Sequence, residues 1–304
     1  MERERLLGHI AAITAVVIWG TTFISSKILL RTLQPTELLI LRFVIGFLTL
    51  TLIRRRFFKF YPFREELLYA LAGLTGITLY YLLEGVALTY TMATNVGVII
   101  STVPFFTAVL LRLLCPEEEK LQVTFFLGFI IAMAGICLIS YNGAALSFNP
   151  LGDLLTLLAA LVWAFYSYFL KRINRMGRST AETTHKLFFW GLLFMLPAGA
   201  ALGFAPDMAA LMTPVNIGNL LFLGIGACAI CFLIWNFAEK AVGAVRISVY
   251  IYLDPIVTLI ASWIILKEPV TGLMLIGTGL TLAGLLVSEI RPRDRKTAEA
   301  VQKP

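Results

Sequence analysis

The sequence predicts an all-α integral membrane protein with ten transmembrane helices, laid out as two inverted five-helix repeats with both termini in the cytoplasm. Three observations lead there. Hydrophobic residues make up 59% of the 304-residue chain and charged residues only 14%, whereas soluble domains carry about 25% charge. The apolar residues gather in long uninterrupted stretches. The two halves repeat one pattern, with an odd number of stretches in each.

The apolar stretches run roughly over 8–30, 36–53, 67–88, 95–114, 123–141, 151–170, 182–203, 216–238, 246–266 and 270–288. Each is near the length of about 20 residues that a helix needs to cross the hydrocarbon core. None alternates as a barrel strand would, and a spanning segment must satisfy its own backbone, so these are helices. The first stretch is too long for the core of a cleaved signal peptide and has no clear small-residue cleavage site. Gly8, Trp19 and Lys27 recur as Gly152, Trp163 and Lys171. Further on, Pro104, Gly128 and Gly135 align with Pro255, Gly277 and Gly284. The repeats occupy 1–142 and 150–289, joined by a short polar outer loop, and 290–304 reads as a disordered cytoplasmic tail.

Charge fixes the expected orientation. Arg54, Arg55, Arg56, Lys59 and Arg64 follow the second stretch, Lys171, Arg172, Arg175 and Arg178 the sixth, and Arg291, Arg293, Arg295 and Lys296 the tenth. The loops 89–94, 142–150 and 204–215 carry no Lys or Arg. Basic loops stay inside, which places the chain in the cell membrane with both ends in the cytoplasm. A repeat with an odd number of spans then enters the bilayer from opposite sides in its two copies.

The net charge of +7 is spread over these loops, so it does not indicate nucleic acid. Cys228 and Cys231 have the spacing of a redox or metal pair, but they sit in an apolar stretch without acidic or His ligands nearby and read as packing residues. The two histidines cannot supply a His-rich metal site. There is no H-E-x-x-H, G-x-S-x-G or P-loop, so neither catalysis, a metal nor a cofactor is expected.

Four segments carry a family resemblance. They are Ile18-Trp19-Gly20-Thr21-Thr22-Phe23, Leu41-Arg42-Phe43, Ala87-Leu88-Thr89-Tyr90-Thr91-Met92-Ala93, and Tyr252-Leu253-Asp254-Pro255 followed by Leu266-Lys267-Glu268-Pro269. In order and spacing the chain resembles the ten-helix EamA-type branch of the drug/metabolite transporter superfamily. It departs in having Asp254 where Glu is common and Lys267 where Gly is common. The resemblance implies a central cavity between the halves and export of small metabolites such as amino acids or amines.

Ionisable residues inside a bilayer are costly and therefore mark candidate sites. Asp254 lies about eight residues into the ninth stretch, ~12 Å of helical rise from its inner end. Pro255 removes one helical hydrogen bond and frees the Ile251 carbonyl; Pro104 does the same to Ile100 in the fourth stretch. The competing reading is a kinked helix whose Asp254 is satisfied by a neighbouring hydroxyl or amide. Glu84, near the outer end of the third stretch, either pairs directly with Arg42 at similar depth or serves as a proton or cation site. Tyr80 shares a helical face with Glu84, Tyr250 with Asp254, and Trp163 with Tyr166; Trp19 stands with Thr22 and Ser26. Carboxylates beside aromatics suit amines through charge and cation–π contact, although aromatics also serve as packing and interfacial anchors. Lys27, Lys171, His185 and Lys186 are expected to extend to the headgroups, and Glu268 to cap the last helix.

The expected function is secondary active transport by alternating access, as an exporter, with a small-molecule substrate, the lipid bilayer as surroundings and a proton as coupling ion. The sequence does not specify an oligomeric state. The alternatives are an uncoupled facilitator or an organophosphate exchanger and, from another class, a membrane scaffold or a lipid enzyme.

Overall fold

The computed structural model describes residues 2–55, 57–90, 93–116, 122–140, 149–266 and 271–289. The expectations for Arg56, Lys267, Glu268, the loop 142–148 and the tail 290–304 lie outside the described residues. Among those residues the secondary structure is helical, with no strand. Helices α1 (Glu2–Leu29) and α2 (Pro35–Arg54) are followed by α3 (Phe63–Tyr90), α4 (Ala93–Ile100), α5 (Val103–Leu114) and α6 (Val123–Ser140). The second half holds α7 (Pro150–Asn174), α8 (Thr180–Leu202), the single turn α9 (Met208–Leu211), α10 (Pro214–Val242), α11 (Ala244–Ile265) and α12 (Gly272–Glu289). Helices α1, α2, α3, α7, α10 and α11 are long and apolar enough to cross a membrane.

Local chemistry starts these helices. Proline opens α2 and α7, where its missing N–H costs nothing. Asn149 caps α7 by accepting from the Leu151 and Gly152 amides, both at 3.2 Å. The Glu37 carboxylate accepts from the Gln34 amide at 2.8 Å and from the Ala205 amide at 3.1 Å, fastening the outgoing end of α8 to the start of α2. Gly243, with φ +106°, makes the sharp junction between α10 and α11, a conformation that side chains with a Cβ rarely adopt.

Several irregularities interrupt the helices, among them a π segment at Ser262–Leu266 that ends α11. A π segment occupies Leu74–Leu79 in α3 and another Phe222–Ile230 in α10. The fourth apolar stretch breaks into α4 and α5 at Ser101–Thr102, just before Pro104. In α11 a 3₁₀ segment, Val249–Leu253, precedes Asp254 and Pro255. There the Ile251 carbonyl is not freed as expected: tighter winding gives it the Asp254 amide.

Helices α6 and α12 pack antiparallel along a seam of small residues. A Cβ at Gly128 would overlap Ser288 and the Gly284 carbonyl, and one at Gly135 would overlap the Gly277 carbonyl and Thr281. In lipid such close approach is a main source of helix association. Gly279, on the same helix as Gly277 and Gly284, faces open space instead. Gly284→Leu should therefore lower stability by about 1–3 kcal/mol through overpacking, seen as a reduced melting temperature in detergent. Gly279→Leu should stay within about 0.5 kcal/mol of the parent.

Candidate functional site

A pocket lies between α1, α3, α4, α5, α7 and α11. Trp19 and Thr22 reach it from α1, Tyr80, Tyr81 and Glu84 from α3, and Trp163 from α7; Ile100 and Val103 flank the α4–α5 break, and Ile251 and Asp254 come from α11. It holds about 480 Å³ of non-atom space, open mouth included. Its walls are aromatic. The rings of Trp19 and Trp163 meet edge to face at 5.8 Å, and Tyr80 lies 4.8 Å from Trp163. The Trp19 indole donates to the Ala227 carbonyl in the π segment of α10 at 3.0 Å.

Three buried polar atoms at this pocket have no hydrogen-bond partner: Glu84 Oε2, Asp254 Oδ1 and Trp163 Nε1. Buried polar atoms are bonded in the large majority of cases, so a cluster of exceptions marks a place prepared for a polar ligand or water. Asp254 is only 9% exposed. It is close enough to Glu84 for the two carboxylates to repel when both are charged, with Tyr80 within electrostatic reach of both.

Of the residues singled out from the sequence, Trp19, Tyr80, Glu84, Trp163 and Asp254 come together here. Arg42 does not line the pocket. Its Nε donates to Cys228 Sγ at 3.2 Å, and its guanidinium lies 4.6 Å from the Tyr81 ring centroid and 5.2 Å from that of Phe43. Among the described residues no ion pair joins Arg42 to Glu84, so Arg42 acts on Glu84 only at longer range. Cys228 and Cys231 are free thiols. Tyr250 also points elsewhere, its hydroxyl 2.8 Å from His9 Nδ1. The cause is winding: at three residues per turn, positions i and i+3 eclipse while i and i+4 separate. Ile251 therefore shares the pocket with Asp254. Tyr166 sits behind Trp163 at 4.9 Å between rings and donates to Asn236. Pro104 and Pro255 border the pocket through their neighbours Val103 and Asp254.

The EamA-like transporter family matches residues 6–141 and again 150–289. The chain belongs to this family. It is a multi-pass membrane transporter, not an enzyme. An uncharacterized transporter of Archaeoglobus fulgidus is 28% identical over 288 residues, covering 92% of this chain and 96% of the relative. YvbV of Bacillus subtilis, named an uncharacterized transporter, is 26% identical over 287 residues, 93% and 92% of the two chains. YedA of Escherichia coli (strain K12), named an uncharacterized inner membrane transporter, is 29% identical over 268 residues, 86% and 83% of the two chains. A crystal structure of a protein with 19% identity superimposes at a TM-score of 0.75 over 97% of this chain and 99% of that one, which shows the shared fold.

The transporter has a second polar cluster, where α2 ends and α3 and α8 begin. His185 and Lys186 do not reach outward as expected from their place at a span end; both are fully buried. The Lys186 ammonium contacts Glu66 at 2.6 Å, donates to the Lys59 carbonyl at 2.9 Å and lies 4.0 Å from the Tyr61 ring centroid and 4.5 Å from that of Tyr69. Glu66 also accepts from the Trp190 indole at 2.8 Å and the Tyr61 amide at 2.9 Å. Around this core, Tyr61 donates to Glu182 at 2.5 Å, and burial together with that bond raises its pKa. Arg54 lies 3.9 Å from Glu182 and Arg178 3.3 Å from Glu65. The sequence reading passed over Glu66, Glu182 and, just beyond the expected end of its span, Glu239.

Removing one member of a buried pair leaves a charge stranded, at about 3–5 kcal/mol. Glu66→Gln should therefore lower the melting temperature sharply. Glu66→Gln with Lys186→Met should recover most of the loss, and Glu65→Gln, at a half-exposed pair, should cost no more than about 1 kcal/mol.

Proposed function

We propose that the chain is a secondary active transporter that exports a small cationic or zwitterionic metabolite, an amine or amino acid, by alternating access with a proton as coupling ion. The observation that carries this reading is the pair of carboxylates, Asp254 and Glu84, with unpartnered oxygens facing one aromatic pocket. A cation gains there from charge and from the faces of Trp and Tyr rings. An organophosphate would want Lys or Arg in the pocket; the lining has neither, and Arg42 is held against Tyr81 and Cys228. A scaffold has no use for orphaned carboxyl oxygens.

Two inverted five-helix repeats with ten crossings form the working architecture, and several features support it. Trp19 and Trp163, equivalent in the repeat, meet at the pocket. Gly128 and Gly135 contact Gly284 and Gly277, so each residue meets the repeat partner of the other, as a two-fold relation between halves requires. Two of the three π segments fall in the third and eighth apolar stretches, which are repeat partners; the third lies at the end of the ninth. In this reading the end rich in Lys and Arg is cytoplasmic, and the Lys186–Glu66 cluster closes it while the substrate site faces the other side.

The test is flux of a panel of amino acids and primary amines in proteoliposomes under an imposed pH gradient. Asp254→Asn and Glu84→Gln should each reduce gradient-driven flux by on the order of tenfold, about 1.4 kcal/mol, while melting temperatures stay near wild type. Unchanged flux in both variants rules out a carboxylate-centred site.

A further inference from the structure

Glu239 lies near the end of α10, 4% exposed, with neither carboxylate oxygen hydrogen-bonded. An isolated ion so placed is expensive, several kcal/mol after relaxation. A residue needed only for packing would have no reason to be a carboxylate. Its surroundings leave it few partners. From α7 come Lys171, which acts on it electrostatically, and Tyr166, whose hydroxyl is turned to Asn236. From α8, Glu182 is held by Tyr61, His185 lies 2.8 Å from Thr51, Lys186 is held by Glu66, and Thr184 accepts from Asn236 at 2.9 Å. From α1, His9 meets the Tyr250 hydroxyl; on α10 itself Lys240 donates to the Arg178 carbonyl at 2.9 Å; α11 carries Arg246.

One turn back toward the pocket, Asn236 is fully buried and bonded to Tyr166, whose ring lies 4.9 Å from Trp163 in the pocket wall. Asn236 and Tyr166 thus lie between Glu239 and the Trp163 wall of the central site, and Glu239 is the carboxylate at this end with neither oxygen bonded.

We propose that Glu239 is a proton-exchange site, separate from the substrate pocket, through which the coupling proton enters or leaves at the basic end. A proton from water bonds to one carboxylate oxygen; release breaks that O–H bond and returns the proton to water, at the basic end or through the pocket once it opens past Trp163. Lys171 steadies the carboxylate in the ionised interval. The inference rests on the proton-coupled reading above, but its first test needs no substrate.

Attenuated total reflection infrared difference spectra of the purified protein between about pH 5 and pH 9 report protonated carboxyls directly. The wild type should show a titrating carboxyl band that exchanges with D₂O. Glu239→Gln should lose it, Glu239→Asp should restore a shifted band, and Asp254→Asn should keep it. Because Glu239 has no hydrogen-bond partner to lose, Glu239→Gln should melt at or above the wild-type temperature. In proteoliposomes, Glu239→Gln should lower pH-gradient-driven flux of the amine and amino-acid panel by on the order of tenfold with thermal shifts by the same panel unchanged. A Glu239→Gln spectrum that lacks none of the titrating bands overturns the proposal. If the Glu239 band behaves as described while Asp254→Asn and Glu84→Gln leave flux intact, the central-site reading fails and this one stands.

Discussion

An unpaired carboxylate in a hydrocarbon setting is the constraint around which the pocket is arranged. Burial takes away hydration worth many kcal/mol, and only a partner or a proton compensates. Arg42 is the obvious partner for Glu84, and the structure directs it elsewhere, onto Tyr81 and Cys228. A direct pair would neutralise the site and leave an incoming cation to compete with a guanidinium. Held one layer back, Arg42 still moderates the charge at Glu84 without occupying its oxygens. The aromatic lining acts in the same direction. It keeps the dielectric low, which strengthens any charge interaction inside, and it offers ring faces to whatever the carboxylates attract.

The same constraint accounts for where the backbone departs from regular helix. Irregular backbone at membrane depth is tolerated where protein or a cavity surrounds it, and the 3₁₀ segment of α11 and the α4–α5 break both border the pocket. The π segments of α3 and α10 are placed similarly, whereas the one at the end of α11 lies away from the pocket. That in α3 runs directly into Tyr80 and Tyr81, with Gly76 against the Tyr166 ring, and that in α10 presents the Ala227 carbonyl to Trp19. A regular α11 would carry Tyr250 beside Asp254 and close part of the space that Ile251 leaves.

The helices were legible because hydropathy and length are local properties, and the pocket was partly legible because a charged or aromatic residue deep in an apolar stretch stands out. Asp254, Glu84, Tyr80, Trp19 and Trp163 were found this way. Tyr250 was assigned to the pocket because periodicity assumes 3.6 residues per turn, and one tight segment shifts the face. Lys186 was misread for a different reason. A hydropathy window sees a cation at a span end and expects it to reach water, but its partner Glu66 is 120 positions away in the chain and its cage comes from Tyr61 and Tyr69. The run Phe57-Phe58-Lys59-Phe60-Tyr61, too aromatic for an ordinary loop, was the available signal. Glu239 escapes a hydropathy window because the apolar stretch 216–238 stops just short of it, while the helix continues to Val242.

The polar ties at the basic end differ widely in strength, and that difference decides which contacts would part most easily. Glu66 and Lys186 belong to different halves and are joined by a short buried ion pair with three further hydrogen bonds. Alongside it, Gly73 packs on Leu187 and Trp190, Ile77 on Gly191, and Thr78 donates to the Gly191 carbonyl at 2.8 Å. Separating α3 from α8 would strand a buried ammonium at about 3–5 kcal/mol, more than a typical allosteric coupling of 1–3 kcal/mol supplies. The Arg178–Glu65 pair is half-exposed and worth at most about 1 kcal/mol, and Arg54–Glu182 is long at 3.9 Å. Opening at this end is therefore cheapest along the Arg54, Glu182 and Arg178 contacts, with α3 and α8 held together as a pivot. In the alternating-access reading proposed above, a pivot there would let the walls that carry Trp163 and Asp254 shift relative to Glu84 without exposing Lys186, and the charge separation in the pocket would change with that shift.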